Sequence, residues 1–221
     1  MLIKITFPII LVIFTASIVN AQYFESIEKE AEEILISLSD GDTLYSSELS
    51  NLKNLLNSFL EKNSSEINLD ISPRSIDSLK HHLSEFESES KNVSSDSALV
   101  LFNYWYLHLQ NIFYDYSGEK FFSSSKTKIL FFSTSMSCYC TLEMCKKQLV
   151  EILKMKRYTG DTYSFLAVDS YWNNDLQLKY ETYFAPSALV FNQSNDLILK
   201  VEYDEEMIEK LTTFLSGRDK I

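Results

Sequence analysis

Beyond Gly118 the chain alternates short apolar runs with amphipathic stretches, and this alternation constrains the fold more than any other feature of the sequence. Lys128-Ile-Leu-Phe-Phe-Ser133, Ser164-Phe-Leu-Ala-Val168, Ser187-Ala-Leu-Val-Phe191 and Leu197-Ile-Leu-Lys-Val201 have the length and composition of buried strands. Between and after them, Thr141 to Tyr158, Asn174 to Tyr183 and Asp204 to Leu215 read as helices, the last ending at Ser216-Gly217. The order is therefore β-α-β-α-β-β-α. A strand–helix–strand unit crosses over right-handedly into parallel pairing, whereas the short turn Asn192-Gln-Ser-Asn195 joins its strands as an antiparallel hairpin. The expectation is an α/β domain over residues 118–221, with a mixed sheet flanked by helices.

Residues 22–117 read differently. Phe24, Ile27, Ala31, Ile34, Leu35 and Leu38 form one helical stripe before the break at Ser39-Asp40-Gly41-Asp42. A second helix is expected from about Ser46 to Lys62, with Leu49, Leu52, Leu55, Leu56, Phe59 and Leu60 inward. Ser64 to Ser72 reads as a loop, and Pro73 suits the first turn of a third helix through Phe86. After a charged stretch from Glu87 to Ser95, a fourth helix from Ser97 to about Tyr116 carries Phe102, Tyr104, Trp105, Tyr106, Phe113 and Tyr114. This is an acidic all-α region of about four helices ahead of the α/β domain. It holds 17 acidic and 6 basic side chains, against 14 and 13 in residues 118–221, so the net charge of −11 lies almost wholly in it. Such a surface repels phosphates, which argues against a nucleic-acid partner.

The first 21 residues are set apart again. Lys4 precedes an apolar run from Ile5 to Val19, and small side chains stand at Val19 and Ala21. A short positive segment, a hydrophobic core and an A-x-A-like site are the pattern of a cleavable signal peptide. The expected location is outside the reducing cytoplasm, in a periplasm or secreted through a secretory lumen. No later segment is apolar enough to span a bilayer, so no membrane span is expected after cleavage.

All three cysteines fall within eight residues, at the junction of the first strand and the first helix of the α/β domain. The segment is Ile129-Leu-Phe-Phe-Ser-Thr-Ser-Met-Ser-Cys138-Tyr-Cys140-Thr-Leu-Glu-Met-Cys145, and Phe184-Ala-Pro186-Ser-Ala-Leu-Val-Phe191 follows further on. This arrangement resembles the thioredoxin superfamily over roughly residues 120–218. The resemblance implies a thioredoxin-like fold, a nucleophilic cysteine at Cys138, and a cis-proline at Pro186 that holds substrate backbone beside the sulfur. Three departures stand out. The usual C-x-x-C is absent, because Thr141 occupies the fourth position; Ser137 stands where a tryptophan is usual; and Phe132 replaces a buried aspartate.

A thiolate is the attacking species in disulfide exchange, and the positive end of a helix favours it. Cys138 and Cys140 sit at that end, whereas Cys145 shares an apolar helical face with Leu142, Leu149, Ile152 and Leu153. Positions seven apart on a helix are separated by about 10 Å, beyond the roughly 7 Å reach of a disulfide, so a Cys138–Cys145 bridge needs an unwound turn. A Cys138–Cys140 bridge is close enough, but its small ring is strained and hence oxidising. The expected activity is thiol–disulfide oxidoreduction, oxidase- or isomerase-like, on protein thiols and disulfides, with Cys138 attacking, Cys140 resolving, and Thr141 capping the helix or bonding the thiolate. No cofactor is needed. Two other readings stay open: a carrier of Cu(I) or another soft metal on Cys138, Cys140 and Cys145, and a thioredoxin-fold binding module without catalysis.

Overall fold

The computed structural model describes residues 24–42, 46–66 and 73–218. The signal-peptide pattern of residues 1–21 lies outside the described residues. The chain divides into two compact units, one ending at Ala98 and the other beginning at Leu99.

In the first unit, α1 (24–39) buries Phe24, Ile27, Ala31, Ile34, Leu35 and Leu38, the whole stripe expected from the spacing. Helix α2 (Ser46–Glu66) buries Leu49, Leu52, Leu56 and Phe59, while Leu55 is only half-buried and the side chain of Leu60 lies outside the described residues. Helix α3 (Pro73–Ser90) turns Ile76, Leu79, Leu83 and Phe86 inward. Lys53 of α2 and Glu87 of α3 form an ion pair. Both helices run further than their apolar spacing indicates: α2 takes in residues 64–66 and α3 continues four residues past Phe86. The added residues, 63–66 and 87–90, are all polar, so they leave no mark on the apolar pattern from which the ends were read.

Helix α4 (Ser95–Ile112) starts just before the division, and α5 (Tyr114–Ser123) follows after a break at Phe113. The single helix expected from Ser97 to Tyr116 is thus two. Gly118 does not end a helix; it is buried inside α5, and a Cβ there would lie 3.7 Å from the Tyr114 ring. Position 117/118, where the sequence pattern changes, falls within α5, and α5 groups with the sheet.

That sheet has four strands in the order β2-β1-β3-β4: β1 (Thr127–Ser133), β2 (Tyr163–Asp169), β3 (Ser187–Phe191) and β4 (Leu197–Glu202). β1 pairs with β2 in parallel, Phe132 opposite Val168, and with β3 antiparallel, Phe132 opposite Ser187. β3 and β4 form the antiparallel hairpin. Successive side chains leave a strand on opposite faces. On one face Leu130, Phe132, Leu166, Val168, Leu189 and Phe191 pack with Phe121 of α5, with Leu176 of α7 (Asn174–Lys179), and with Tyr180 just beyond it. Helix α6 (Tyr139–Thr159) packs on β1 and β2, and α8 (Met207–Arg218) packs on β4 and on α6. Fully burying a Leu or Phe side chain contributes about 1.5–3 kcal/mol, so this core is a main source of the stability of the second unit.

The mixed sheet flanked by helices, preceded by helical chain, matches the fold class expected from the sequence. Helix α8 runs through Gly217 to Arg218, so Gly217 is not the stop signal it resembles. Buried Lys128, near the start of β1, donates to the carbonyls of Asn192 and Gln193 at 3.3 and 3.2 Å, closing that end of the sheet. The opposite end carries the cysteines.

Candidate functional site: a dithiol at the start of α6

The C-terminal ends of β1, β2 and β4 and the N-terminal end of β3 lie at one edge of the sheet, as the pairing registers require. Four connections therefore meet there: 134–138, 170–173, 180–186 and 203–206. Two of them are tied together through Asp169, the last residue of β2. Its buried carboxylate accepts the main-chain N–H of Ser135 at 3.1 Å and of Tyr171 at 3.0 Å. The Ser170 N–H adds a bond to the Ser133 carbonyl at 2.9 Å. Thr134 folds the loop on itself, its Oγ1 donating to the Met136 carbonyl and accepting the Met136 N–H.

Helix α6 begins at Tyr139, two residues earlier than the apolar spacing indicates, so Cys138 rather than Thr141 is its N-cap. The N-cap backbone is extended, with φ −66° and ψ 157°, and the Cys138 carbonyl accepts the first helical N–H, that of Leu142, at 3.1 Å. Cys140 falls in the first turn. The exposed sulfurs of Cys138 and Cys140 are 2.8 Å apart, both as free thiols, and Thr141 Oγ1 lies 3.2 Å from Cys138 Sγ. Thr141 thus takes the second of its two expected positions, beside the sulfur.

These contacts have an electrostatic consequence. A thiolate accepts hydrogen bonds better than a thiol, so donors aimed at the sulfur lower its pKa. The Cys140 thiol has the largest influence on Cys138, followed by the Thr141 hydroxyl, the Thr141 main-chain N–H and the Ser137 side chain. Together they bring the Cys138 pKa from 9.0 down to about 6. Cys145 is the opposite case. It is fully buried in the apolar face of α6, and burial pushes its thiol up to about 12, the bonds from Thr134 and Ser133 opposing this only in part. The three sulfurs do not converge: two face solvent, one faces the core. Among the described residues no group of three His, Cys, Asp or Glu side chains is placed to hold a metal ion.

Pro186 is buried immediately ahead of β3, and its peptide bond to Ala185 is cis. Because Ser187 pairs with Phe132, Pro186 lies at the same sheet edge as the cysteine loop. Its carbonyl accepts the Tyr203 N–H at 2.8 Å, and the Tyr203 hydroxyl lies 3.4 Å from Thr141 Oγ1. Glu202 accepts the N–H groups of Tyr183 and Phe184, fixing the connection before Pro186. Tyr203, Asp169 and Glu202 were not evident as site residues from the sequence, since each acts on chain far from it.

The same edge is unusually apolar for an exposed surface. Met136, Tyr139, Tyr171, Trp172, Tyr183 and Phe184 all project from these connections or the first turn of α6, with Tyr139 75% exposed. Exposed apolar side chains grouped on connections at one end of a sheet are the composition of an interaction surface.

No protein-family model matches the sequence, and no curated protein matches it in sequence. In structure the chain is similar to the germline-specific thioredoxin Deadhead of Drosophila melanogaster, at 20% identity and TM-score 0.39, over 47% of this chain and 91% of that one. It is also similar to mitochondrial thioredoxin 3 of Saccharomyces cerevisiae, at 14% identity and TM-score 0.36, over 46% and 88% of the two chains. A thioredoxin of Trypanosoma brucei brucei aligns at 16% identity and TM-score 0.37, over 46% and 85%. The mixed sheet of the C-terminal half, its cysteine at the helix start after β1 and its cis-proline Pro186 ahead of β3 are the arrangement expected from the sequence.

Proposed function

We propose that the protein is a thiol–disulfide oxidoreductase acting on protein disulfides, with Cys138 as nucleophile and Cys140 as resolving thiol. The observation that carries this reading is the exposed Cys138 sulfur at the N-cap of α6, held among donors with the Cys140 sulfur 2.8 Å away. In one direction the Cys138 thiolate attacks a partner disulfide, a mixed disulfide forms, and one partner sulfur leaves as thiolate. Cys140 then attacks Cys138 Sγ, its proton passing to the departing partner sulfur. The partner disulfide is reduced by two electrons and the Cys138–Cys140 pair is oxidised by the same two. Run backwards, the sequence oxidises a partner dithiol. Pro186 lies buried at the same sheet edge, where it shapes the connection that presents Tyr183 and Phe184, and the exposed aromatic side chains offer a substrate apolar contact.

The leader-like pattern of residues 1–21 supports a location outside the cytoplasm, where a Cys138–Cys140 disulfide would have partner dithiols to oxidise. The test is Cys138→Ser in an insulin-reduction assay and a scrambled-substrate assay. Loss of turnover is expected; unchanged turnover removes the proposal and leaves a binding module.

A further inference from the structure

Tyr203 is the first residue after β4, and its backbone is left-handed, with φ +49°. A bulky non-glycine residue adopts that conformation at a cost, and such strain collects where a side chain has work to do. Here the strained backbone accompanies two contacts. The Tyr203 N–H donates to the Pro186 carbonyl at 2.8 Å, and its hydroxyl reaches Thr141 Oγ1 at 3.4 Å, 62 residues away in sequence. Its ring also lies 6.2 Å from that of Phe184, on the other side of Pro186 in the chain.

We propose that Tyr203 is a positioning residue for the dithiol: its hydroxyl donates to Thr141 Oγ1 and so directs the threonine proton onto Cys138 Sγ. This rests on the reading of Cys138 as the attacking sulfur. The donor order follows from proton counting. A thiolate only accepts, so when Cys138 is ionised the hydrogen between it and Thr141 belongs to Thr141. Thr141 has one hydroxyl hydrogen, so toward Tyr203 its oxygen is the acceptor and the phenol is the donor. With the phenol in place, the lone pair that Tyr203 occupies is settled and the threonine rotor has one favoured direction. Without it, the hydroxyl is free to turn to other acceptors in the first turn of α6.

Cys140 shares the Cys138 sulfur with Thr141, and the other charged and titratable neighbours bond elsewhere or face solvent. On α6, Cys140 contacts the same sulfur, Tyr139 projects into solvent, and Glu143 pairs with Lys146 at 2.9 Å. Beside Tyr203, Glu202 accepts the Tyr183 and Phe184 N–H groups, and Asp204 binds Lys210 and the Glu206 N–H, with Glu205 exposed next to it. From β2, Asp169 accepts the Ser135 and Tyr171 N–H groups.

The experiment is the pH dependence of Cys138 alkylation by iodoacetamide in the reduced full chain, with the modified residue mapped by mass, in wild type, Tyr203→Phe and Tyr203→Gly. Phenylalanine keeps the ring and removes only the hydroxyl; glycine removes the hydroxyl and relieves the left-handed backbone. Both variants are expected to raise the midpoint by about half a unit, making alkylation roughly threefold slower on its acidic side. Tyr203→Gly is expected to do so without lowering the thermal midpoint, which separates loss of the hydroxyl from loss of fold. A Tyr203→Phe profile that superimposes on wild type overturns the proposal while leaving the redox reading intact. A wild-type midpoint at the ordinary thiol value overturns both.

Discussion

The main-chain N–H of Ser135 donates to the carboxylate of Asp169 across 3.1 Å, pinning the loop that carries Cys138 to the end of the neighbouring strand. The same oxygen accepts the Tyr171 N–H, so one buried side chain holds two of the four connections at this edge. Asp169→Ala leaves both donors without that acceptor. A lost buried partner costs about 1–3 kcal/mol, so a clear fall in thermal midpoint is expected. Asp169→Asn keeps an oxygen in place and is expected to lose less. Equal losses in the two variants, measured by thermal denaturation, would assign the effect to charge rather than to these bonds.

Lowering the Cys138 pKa from 9.0 to about 6 has a consequence for stability as well as for reactivity. Between those values the unfolded thiol is protonated and the folded one is not, so the unfolded state binds the extra proton. Stability of the reduced protein therefore rises with pH across this window. It is fully present above about pH 9 and is lost as the pH falls through about 6. Denaturant titrations of the reduced wild type and of Cys138→Ser, run across this range, are expected to show the slope in the first and not in the second.

Cys140→Ser is expected to stop the cycle at the mixed disulfide, because no second sulfur stands beside Cys138 to resolve it. Covalent adducts with polypeptide substrate are then visible by non-reducing electrophoresis and disappear with dithiothreitol. Cys140→Ala, which removes the donor that most lowers the Cys138 pKa and supplies no hydroxyl in its place, is expected to raise the alkylation midpoint. Turnover at the wild-type rate would show that resolution does not pass through Cys140.

Cys145 is expected to matter for packing alone. Cys145→Ala removes one buried atom and is expected to cost about 1–2 kcal/mol, with exchange kinetics unchanged. Cys145→Ser, of nearly the same size, keeps a polar hydrogen within reach of Thr134 and Ser133 and is expected to be the milder of the two in a thermal melt. A change in exchange rate in Cys145→Ala, with the fold intact, would give the third sulfur a part in the chemistry.

The exposed aromatic rim gives a separate prediction. Truncating Tyr139, Trp172 or Phe184 to Ser is expected to weaken productive binding of a polypeptide substrate by about 1 kcal/mol each, a factor of roughly five. Reaction with a small-molecule disulfide is expected to be unaffected. KM for reduced or scrambled polypeptide against the rate with a small disulfide separates these outcomes, and parallel losses would locate the effect in the dithiol itself.

The order of elements in the second unit was legible because each strand and helix carries its own local signature; Ser187–Phe191 is read from sequence with the same bounds that it has in the fold. The break at Phe113 was not, because aromatic spacing runs across it without a breaker residue, and Gly118 looked like punctuation although it is a small residue packed against Tyr114 inside a helix. Within the site, Cys138, Cys140 and Pro186 were visible as residue types in a pattern. Asp169 and Tyr203 were not, since a carboxylate or phenol that bonds chain 34 or 62 residues away leaves no local trace. The start of α6 lay between these cases. Apolar periodicity begins at Thr141, but the first turn of a helix is defined by its backbone bonds, and these begin at the Cys138 carbonyl.

An odd number of cysteines leaves one sulfur over whenever the others pair, and an exposed leftover sulfur can cross-link two copies of a chain. Here the leftover one is walled into the apolar side of α6. With the exposed two joined as the proposed cycle requires, no sulfur outside the core would remain to cross-link two copies, and an uneven count would behave as an even one.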